Sequence, residues 1–277
     1  MRPFLLLLAA IQATAQSGTI LLITDAEGVG GVCRQDQTDP ANAEMRQLLT
    51  GEINAAVEGF YAGGASDVIV WDGHDGSQTL STLTIHPRAR LIMGNVGPSM
   101  LMERRFAAVA YVGQHSKANV RGGIMAHSYS SLGIQNMLLN GKPVGEIDVI
   151  AAMAGHFDTP VILLTGDDAA VAELRKIVPE AEMVSVKEGL GRYACLSLSA
   201  EEARRRIREG ARRSVARIGK VKPYKVPGPC TLQVEYTTRN SLPPEARLWT
   251  GAEVLDDRTV RFTGRDILEV WQRYRAR

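Results

Sequence analysis

The chain has 277 residues, of which 45% are hydrophobic and 22% are charged, and this composition is that of a globular protein. Its 32 basic residues nearly balance 30 acidic ones, so the charge gives no indication of binding to nucleic acid or to a membrane surface. Aromatic residues make up only 5%, which also argues against platforms for base stacking. The length predicts one large domain or two modest ones.

Residues 1–15 have the features of an export signal. Arg2 supplies a positive start, residues 4–11 form a short apolar run, and Ala13 and Ala15 provide a small-x-small cleavage site. The apolar run is much shorter than the ~20 residues of a membrane-spanning helix. We therefore expect cleavage after this segment and a mature protein that is periplasmic or secreted, without a membrane anchor.

The first elements after the signal predict a parallel unit. Residues 19–24 form a continuous apolar run of strand length, which is typical of a buried strand. Asp39 and Pro40 have the pattern of a helix start, and apolar residues then recur at helical spacing up to Gly63. Residues 67–71 form the next strand. This strand–helix–strand order predicts a right-handed parallel crossover.

The alternation of strands and helices continues along the chain. Strands are predicted at residues 89–93, 106–112, 134–139, 142–144, 161–165, 231–236 and 259–263, and helices at residues 145–156, 168–177 and 199–218 and from Arg265 onward. Asn140 and Gly141 join two of these strands in a tight hairpin, because this pair suits a type I′ turn.

The fold class predicted from this order is α/β, with a mixed, mostly parallel sheet flanked by helices. A stretch rich in proline and lysine begins near residue 220 and has the composition of a linker. The sequence therefore predicts an α/β domain over residues 16–220, which carries the functional site, and a smaller C-terminal α+β subdomain over residues 221–277.

Two carboxylates follow the first predicted strand. Asp25 and Glu27 are two positions apart, so in an extended chain their side chains point to the same side. Two carboxylates aimed together repel each other, and a cation or a shared proton usually relieves that repulsion. A surface pair is the commoner source of such a pattern, but the position after a buried strand favours a functional site.

Two of the five histidines follow other predicted strands. His74 and His115 thus occupy the carboxyl ends of strands, where open α/β sheets form their ligand sites. We expect these imidazoles and the two carboxylates to share one crevice. Mixed carboxylate and imidazole donors suit zinc, manganese or iron. Asp72 and Asp75 flank His74, and one of them is expected to orient its ring.

Two further polar residues have weaker local patterns. Glu146 opens a predicted helix, where the helix dipole favours a carboxylate in any protein. His127 ends a short extended stretch, where it is either a proton donor or a hydrogen-bonded core histidine.

The cysteines Cys33, Cys195 and Cys230 are too few for a disulfide framework. One bridge is compatible with an oxidising compartment, and the sequence leaves its partners open. The spacing contains no cysteine cluster of the kind that binds structural zinc.

In several of these motifs the chain resembles the D-aminopeptidase family. The resemblance covers residues 20–274 and depends on six short motifs in a specific order and spacing. They are Thr24-Asp-Ala-Glu-Gly28, Asp72-Gly-His74, Gly113-Gln-His115, Gly123-Ile-Met-Ala-His-Ser128, Asn140-Gly-Lys-Pro-Val-Gly-Glu146 and Thr165-Gly-Asp-Asp168. Gln114 and Ser116 depart from the family pattern and are expected to line the pocket.

The resemblance implies a centre of two zinc ions per subunit. Asp25 would bridge the ions. Glu27 and His115 would complete one zinc site, and His74 and Glu146 would complete the other. The family also implies a homo-oligomeric ring of ten subunits whose active sites face an inner channel.

With the export signal, the resemblance predicts an exported aminopeptidase that uses metal-activated water to hydrolyse short peptides such as D-Ala-D-Ala. His127 matches the family's catalytic residue, and its chemistry suits a general acid or an oxyanion partner. The alternatives are an L-specific or general metal-dependent dipeptidase, and a periplasmic peptide-binding protein without turnover. A two-metal phosphate-ester hydrolase also fits the ligands, but the motifs contain no evident Arg/Lys clamp for phosphate.

Overall fold

The structure is a computed structural model and describes residues 18–94, 96–98 and 104–276. The predicted export signal and its cleavage site lie outside these residues. The helices and strands, in chain order, are β1 Thr19–Thr24, α1 Ala43–Ala62, β2 Asp67–Trp71, β3 Ala89–Ile92, β4 Ala108–Gln114, β5 Ile134–Leu139, β6 Lys142–Pro143, α2 Glu146–His156, β7 Val161–Asp167, α3 Asp168–Ile177, β8 Glu182–Gly191, β9 Ala194–Ser197, α4 Ala200–Val215, β10 Cys230–Tyr236, β11 Ala252–Val254, β12 Thr259–Gly264 and α5 Ile267–Arg275. Within the described ranges, no helix combines the length and the apolar character needed to cross a bilayer.

Seven strands form a mixed sheet in the order β3-β2-β1-β4-β7-β8-β9. Every neighbouring pair in it is parallel except β8 and β9. Strand β4 is buried over its whole length and β1 over all but its first residue, as expected for strands covered on both faces. The predicted α/β class with a mixed, mostly parallel sheet is therefore confirmed.

Helix α1 begins later than the sequence predicts. Asn42, rather than Asp39, caps the helix, because its side chain accepts a hydrogen bond from the backbone N–H of Met45 at 3.0 Å. The side chain of Asp39 instead accepts the N–H of Ala41 and closes a turn. The Asp-Pro pair thus marks a turn just before the helix, and the prediction of its start was wrong by one turn.

The β8–β9 hairpin was not predicted. Strand β8 extends the sheet beyond β7, and β9 pairs with it in the antiparallel direction. Two charged residues, Lys187 and Glu188, and two glycines interrupt the apolar pattern of β8. Hydrophobic periodicity therefore does not reveal this strand.

A second sheet combines the predicted hairpin with the C-terminal strands in the order β11-β12-β10-β5-β6. The turn between β5 and β6 has φ angles of 49° at Asn140 and 76° at Gly141, which suit the predicted type I′ geometry. This sheet takes strands from both sides of residue 220. The predicted division into two regions at that position stays a prediction.

The ends of β1 and β4 approach each other closely where the predicted site residues emerge. The N–H of Gly28 donates to the carbonyl of Gly113 at 2.7 Å. A Cβ on Gly28 would lie 1.9 Å from the carbonyl oxygen of Gln114, and one on Gly113 would lie 2.0 Å from that of Asp25. Gly113 also has a φ of 77°. Glycine at these two positions therefore lets the two strand ends lie side by side.

A disulfide joins Cys33 to Cys195, with their Cα atoms 5.9 Å apart. It connects the segment after β1 to strand β9, 162 residues further along the chain. Cys230 is a buried free thiol. The structure thus gives the pairing that the sequence left open.

Candidate metal centre

The six predicted site residues lie together at the carboxyl edge of the seven-stranded sheet. They are Asp25 and Glu27 after β1, His74 after β2, His115 after β4, His127 before β5, and Glu146 at the first position of α2. Five of them line a cavity of about 640 Å³, and His115 is buried beside them. The strand ends and the start of α2 thus bring these side chains into one crevice, while their roles there stay predictions.

Asp25, Glu27 and His74 form one group of potential metal donors. Nδ1 of His74 lies 3.0 Å from Oδ1 of Asp25 and 3.2 Å from Oε2 of Glu27. The opposite ring nitrogen, Nε2, lies 2.8 Å from the backbone carbonyl oxygen of Thr38. Because a carbonyl oxygen only accepts, Nε2 must carry a proton. In the neutral ring, Nδ1 therefore presents its lone pair to two carboxylates.

The backbone of Thr38, and not a flanking aspartate, orients the ring of His74. Asp72 is fully buried, but its carboxylate accepts hydrogen bonds from the N–H and the hydroxyl of Thr79, each at 2.8 Å. Asp75 is exposed. The prediction for Asp72 or Asp75 was therefore wrong, because the loop after β2 satisfies the buried carboxylate itself.

His115, His127 and Glu146 form a second group. Nε2 of His115 lies 3.4 Å from Oδ2 of Asp25 and 3.9 Å from Oε1 of Glu146. Its Nδ1 donates to the carbonyl oxygen of Ser116 at 2.9 Å, so the neutral ring again aims a lone pair at carboxylates. The ring of His127 stacks on that of His115, with centroids 4.1 Å apart.

This arrangement needs a positive charge between its donors. Three carboxylates and two imidazole lone pairs converge, and Oε2 of Glu27 and Nε2 of His115 have no hydrogen-bond partner among the described residues. Buried polar atoms are normally paired, so these two atoms require an explanation. A cation with mixed imidazole and carboxylate ligands satisfies both of them, and zinc has this preference.

The same electrostatics shift the pKa values of the groups. Burial alone would lower the pKa of His74, but the close contacts with Asp25 and Glu27 and their negative charges outweigh it and raise the pKa to about 11. Burial is likewise outweighed at His115, where Glu146 and Asp25 raise the pKa to about 9. Burial, followed by the charge of Glu27, raises the pKa of Asp25. Without a metal, protons on the two rings would supply the positive charge.

The distances group the donors differently from the division that the resemblance implies. His74 lies next to Asp25 and Glu27, whereas His115 lies next to Asp25 and Glu146. Asp25 is the carboxylate near both rings. The roles of these residues as ligands, and their division between two ions, stay predictions.

Two backbone contacts near the site were not predicted from the sequence. The N–H of Tyr129 donates to Oε1 of Glu146 at 2.6 Å and orients that carboxylate. The carbonyl of Ser116 accepts a hydrogen bond from Nδ1 of His115 and orients that ring. Gln114 lines the cavity as expected, but the side chain of Ser116 is fully buried and does not. Every residue has the same backbone groups, so residue type does not predict such contacts. Only the position of Ser116 and Tyr129 directly beside the motifs could have suggested them.

Carboxylates and imidazoles in a crevice at the strand ends of an α/β sheet define a metal-dependent hydrolase as the class of protein. A family model described as D-aminopeptidase matches residues 19–276. The D-aminopeptidase of Bacillus subtilis (strain 168) is 30% identical over 260 residues, covering 91% of this chain and 94% of that protein.

The solved structure of the Zn-dependent D-aminopeptidase DppA from Bacillus subtilis, described as a self-compartmentalizing protease, is similar with a TM-score of 0.85 and 29% identity. The similarity covers 93% of this chain and 96% of that one. The chain belongs to the D-aminopeptidase family. The predicted family and class of enzyme are therefore confirmed.

Zinc binding is expected to release about two protons per chain near pH 7.5, because imidazole ligands bind metal in the neutral form. The pKa values of about 11 for His74 and about 9 for His115 keep both rings protonated in the metal-free protein at that pH. Zinc affinity should therefore rise as the pH rises towards 9. Calorimetric titrations in buffers of different ionisation enthalpy measure the released protons.

The variant His74→Gln is the matched control and should release about one proton fewer. An affinity that is independent of pH between 6.5 and 8.5, with no proton release, would show that the rings are already neutral.

Proposed function

We propose that this protein is an exported zinc-dependent D-aminopeptidase with two zinc ions per subunit, which hydrolyses short peptides such as D-Ala-D-Ala. The observation that carries the proposal is the convergence of two histidine nitrogens on three carboxylates in one crevice. Membership of the D-aminopeptidase family and the zinc dependence of the similar Bacillus subtilis enzyme support it.

Zinc, when bound, supplies the Lewis acid that activates a water molecule and polarises the peptide carbonyl. The protein's part is to hold the donors in fixed directions. Backbone carbonyls of Thr38 and Ser116 bind the outer nitrogens of His74 and His115 and so fix the tautomer of each ring. The proximity of Asp25 to both rings supports its proposed bridging role.

The position and the bonding of His127 support its proposed role as a proton donor. It is partly buried and lines the cavity, and its Nδ1 donates to the carbonyl of Met125 at 2.8 Å. Nε2 is therefore the nitrogen available for other chemistry. In the protonated ring, Nε2–H can donate to the oxyanion that forms at the peptide carbonyl or to the leaving amine.

The cavity has the size and charge expected for a short peptide with a free amino terminus. Its volume of about 640 Å³ lies within the usual range for small-molecule sites. Three exposed aspartates that are not proposed ligands, Asp36, Asp39 and Asp75, line it. Asp36 is paired with Arg34, whereas the negative charges of Asp39 and Asp75 complement the ammonium group of an incoming substrate.

Export is proposed from residues 1–15, and the disulfide supports it. The Cys33–Cys195 bridge is of a kind that forms and persists in oxidising compartments such as the periplasm. Mass spectrometry of protein isolated from intact cells should find a mature amino terminus at Gln16. An uncleaved chain in the cytoplasm would refute export.

We also propose self-association into a homo-oligomeric ring of ten subunits. The similar Bacillus subtilis enzyme is described as self-compartmentalizing. Sedimentation velocity measures the assembly, and a monomer at micromolar concentration would contradict it.

The proposed activity predicts that the purified mature protein releases free D-alanine from D-Ala-D-Ala but leaves L-Ala-L-Ala intact. A chelator should stop the reaction, and added zinc should restore it, because the metal supplies the activated water. Cleavage of only the L,L peptide would instead indicate an L-specific dipeptidase. Cleavage of neither, together with stabilisation by peptide, would indicate a binding protein.

The variant His127→Ala is expected to retain its zinc but to lose turnover by about 10²- to 10⁴-fold, the usual contribution of a positioned proton donor. Elemental analysis gives the zinc content, and D-Ala-D-Ala hydrolysis gives the rate. Asp25→Ala is the contrasting variant and should lose both zinc and turnover. Full activity of His127→Ala would remove this residue from the mechanism.

A further inference from the structure

The segment that follows β1 carries two of the proposed zinc ligands and has no regular secondary structure. We call residues 25–33 the ligand loop. Three of its backbone carbonyls, those of Glu27, Val29 and Val32, accept hydrogen bonds from the side-chain ammonium of Lys187. The distance from Nζ to the carbonyl oxygen of Val29 is 2.9 Å, and the other two contacts are short. The side chain thus lies inside the curve of the loop.

Each N–H donor of the buried Lys187 ammonium has a hydrogen-bond acceptor, as a buried cation requires. Only 3% of the residue is exposed, and an ammonium removed from water is costly unless its donors are paired. Nζ has three N–H donors and no acceptor, and three carbonyls receive them. No carboxylate of the described residues lies within ion-pair distance of Nζ, so the loop backbone itself solvates the charge.

Other groups bind N–H groups of the same loop. Oε1 of Glu52 accepts the N–H of Gly30 at 2.8 Å, and Oγ of Ser197 accepts the N–H of Gly31 at 2.8 Å. The disulfide fixes Cys33 at the end of the loop. These contacts hold the later part of the loop, whereas Lys187 binds the carbonyl of a proposed ligand residue directly.

We infer that Lys187 is a positioning residue for the zinc site. By binding the carbonyls of Glu27, Val29 and Val32, it fixes the course of the ligand loop and directs the carboxylate of Glu27 towards His74. The inference deepens the proposed function and depends on it, because it assigns a role towards the proposed metal. Asp25 is held separately, through the hydrogen bond from its N–H to the carbonyl of Val112 at 2.9 Å.

The direction of the effect separates positioning from simple electrostatics. A buried cation near the site repels zinc, so loss of its charge alone would raise zinc affinity. Loss of positioning would lower the zinc affinity, because three carbonyls would lose their hydrogen-bond donor and the ligand loop would change conformation. A group that orients a metal ligand typically contributes 10- to 100-fold to affinity.

The experiment compares Lys187→Met with Val186→Ala. Val186 is a fully buried neighbour on β8 whose backbone carbonyl accepts the N–H of Leu198 rather than a group of the ligand loop. Zinc affinity is measured on the metal-free full chain by competition with a chromophoric chelator, beside thermal stability. Lys187→Met is expected to lower the affinity by about tenfold or more. Val186→Ala is expected to lower thermal stability but to leave zinc affinity close to that of the natural protein.

Amide hydrogen exchange of residues 26–33 in the metal-free protein provides a second measurement. Exchange there should be faster in Lys187→Met and unchanged in Val186→Ala, relative to β4 as an internal reference. Lys187→Gln keeps two N–H donors without the charge and should lie between the natural protein and the methionine variant. If Lys187→Met does not fold, the comparison of Lys187→Gln with Val186→Ala tests the positioning role of Lys187.

Unchanged or increased zinc affinity in the Lys187 variants would overturn the inference and leave the proposed function intact. An equal loss of zinc affinity in Val186→Ala would also overturn it, since general destabilisation would then explain the result. If the natural protein itself binds no zinc, the proposed function fails. Hydrogen exchange would then still show whether Lys187 holds the loop.

Discussion

The mutual repulsion of three carboxylates in one crevice is the constraint around which this structure is organised. Asp25 and Glu27 are almost fully buried, and Glu146 is partly buried. Burial removes the water that would otherwise screen their charges. Two imidazoles lie against them with one nitrogen each bound to a backbone carbonyl. The donors thus form a site whose energy is favourable only when it contains positive charge.

The fold brings these charges together because no side chain separates the ends of β1 and β4. The glycines at positions 28 and 113 let the ends of β1 and β4 lie in backbone contact, and Asp25 and His115 emerge on either side of that contact. An ordinary side chain at either glycine would separate the strand ends and move apart the groups that must share a cation. The close backbone packing and the chemistry of the site therefore have the same structural origin.

Four ligand candidates could be predicted from residue patterns alone, because they combine a metal-binding side chain with the end of an apolar strand. Asp25, Glu27, His74 and His115 belong to this set. Glu146 and His127 could not be separated from a helix-start carboxylate and a core histidine without the family resemblance. The α/β class followed from the alternation of strands and helices, and it is confirmed.

The features that the sequence did not reveal share a physical cause. The carbonyl of Thr38 that orients His74, and the three carbonyls that surround Lys187, are backbone groups, which every residue possesses. Strand β8 was not predicted because Lys187, Glu188 and two glycines interrupt its apolar pattern. The Cys33–Cys195 pairing depends on a contact over 162 residues. The type of a residue predicts the chemistry of its side chain, whereas these contacts depend on the path of the backbone through the fold.

Protons and metal ions are alternative sources of the positive charge that the site needs. The raised pKa values of His74, about 11, and His115, about 9, mean that the folded chain binds protons there more tightly than an unfolded one does. Their contribution to stability is complete below the ordinary imidazole pKa of about 6.5, and it is lost as the pH rises through the folded values. Zinc competes better as those protons leave. Either protons or a bound cation can therefore neutralise the cluster on both sides of neutrality, and zinc held by these residues, as proposed, would add the ability to activate water.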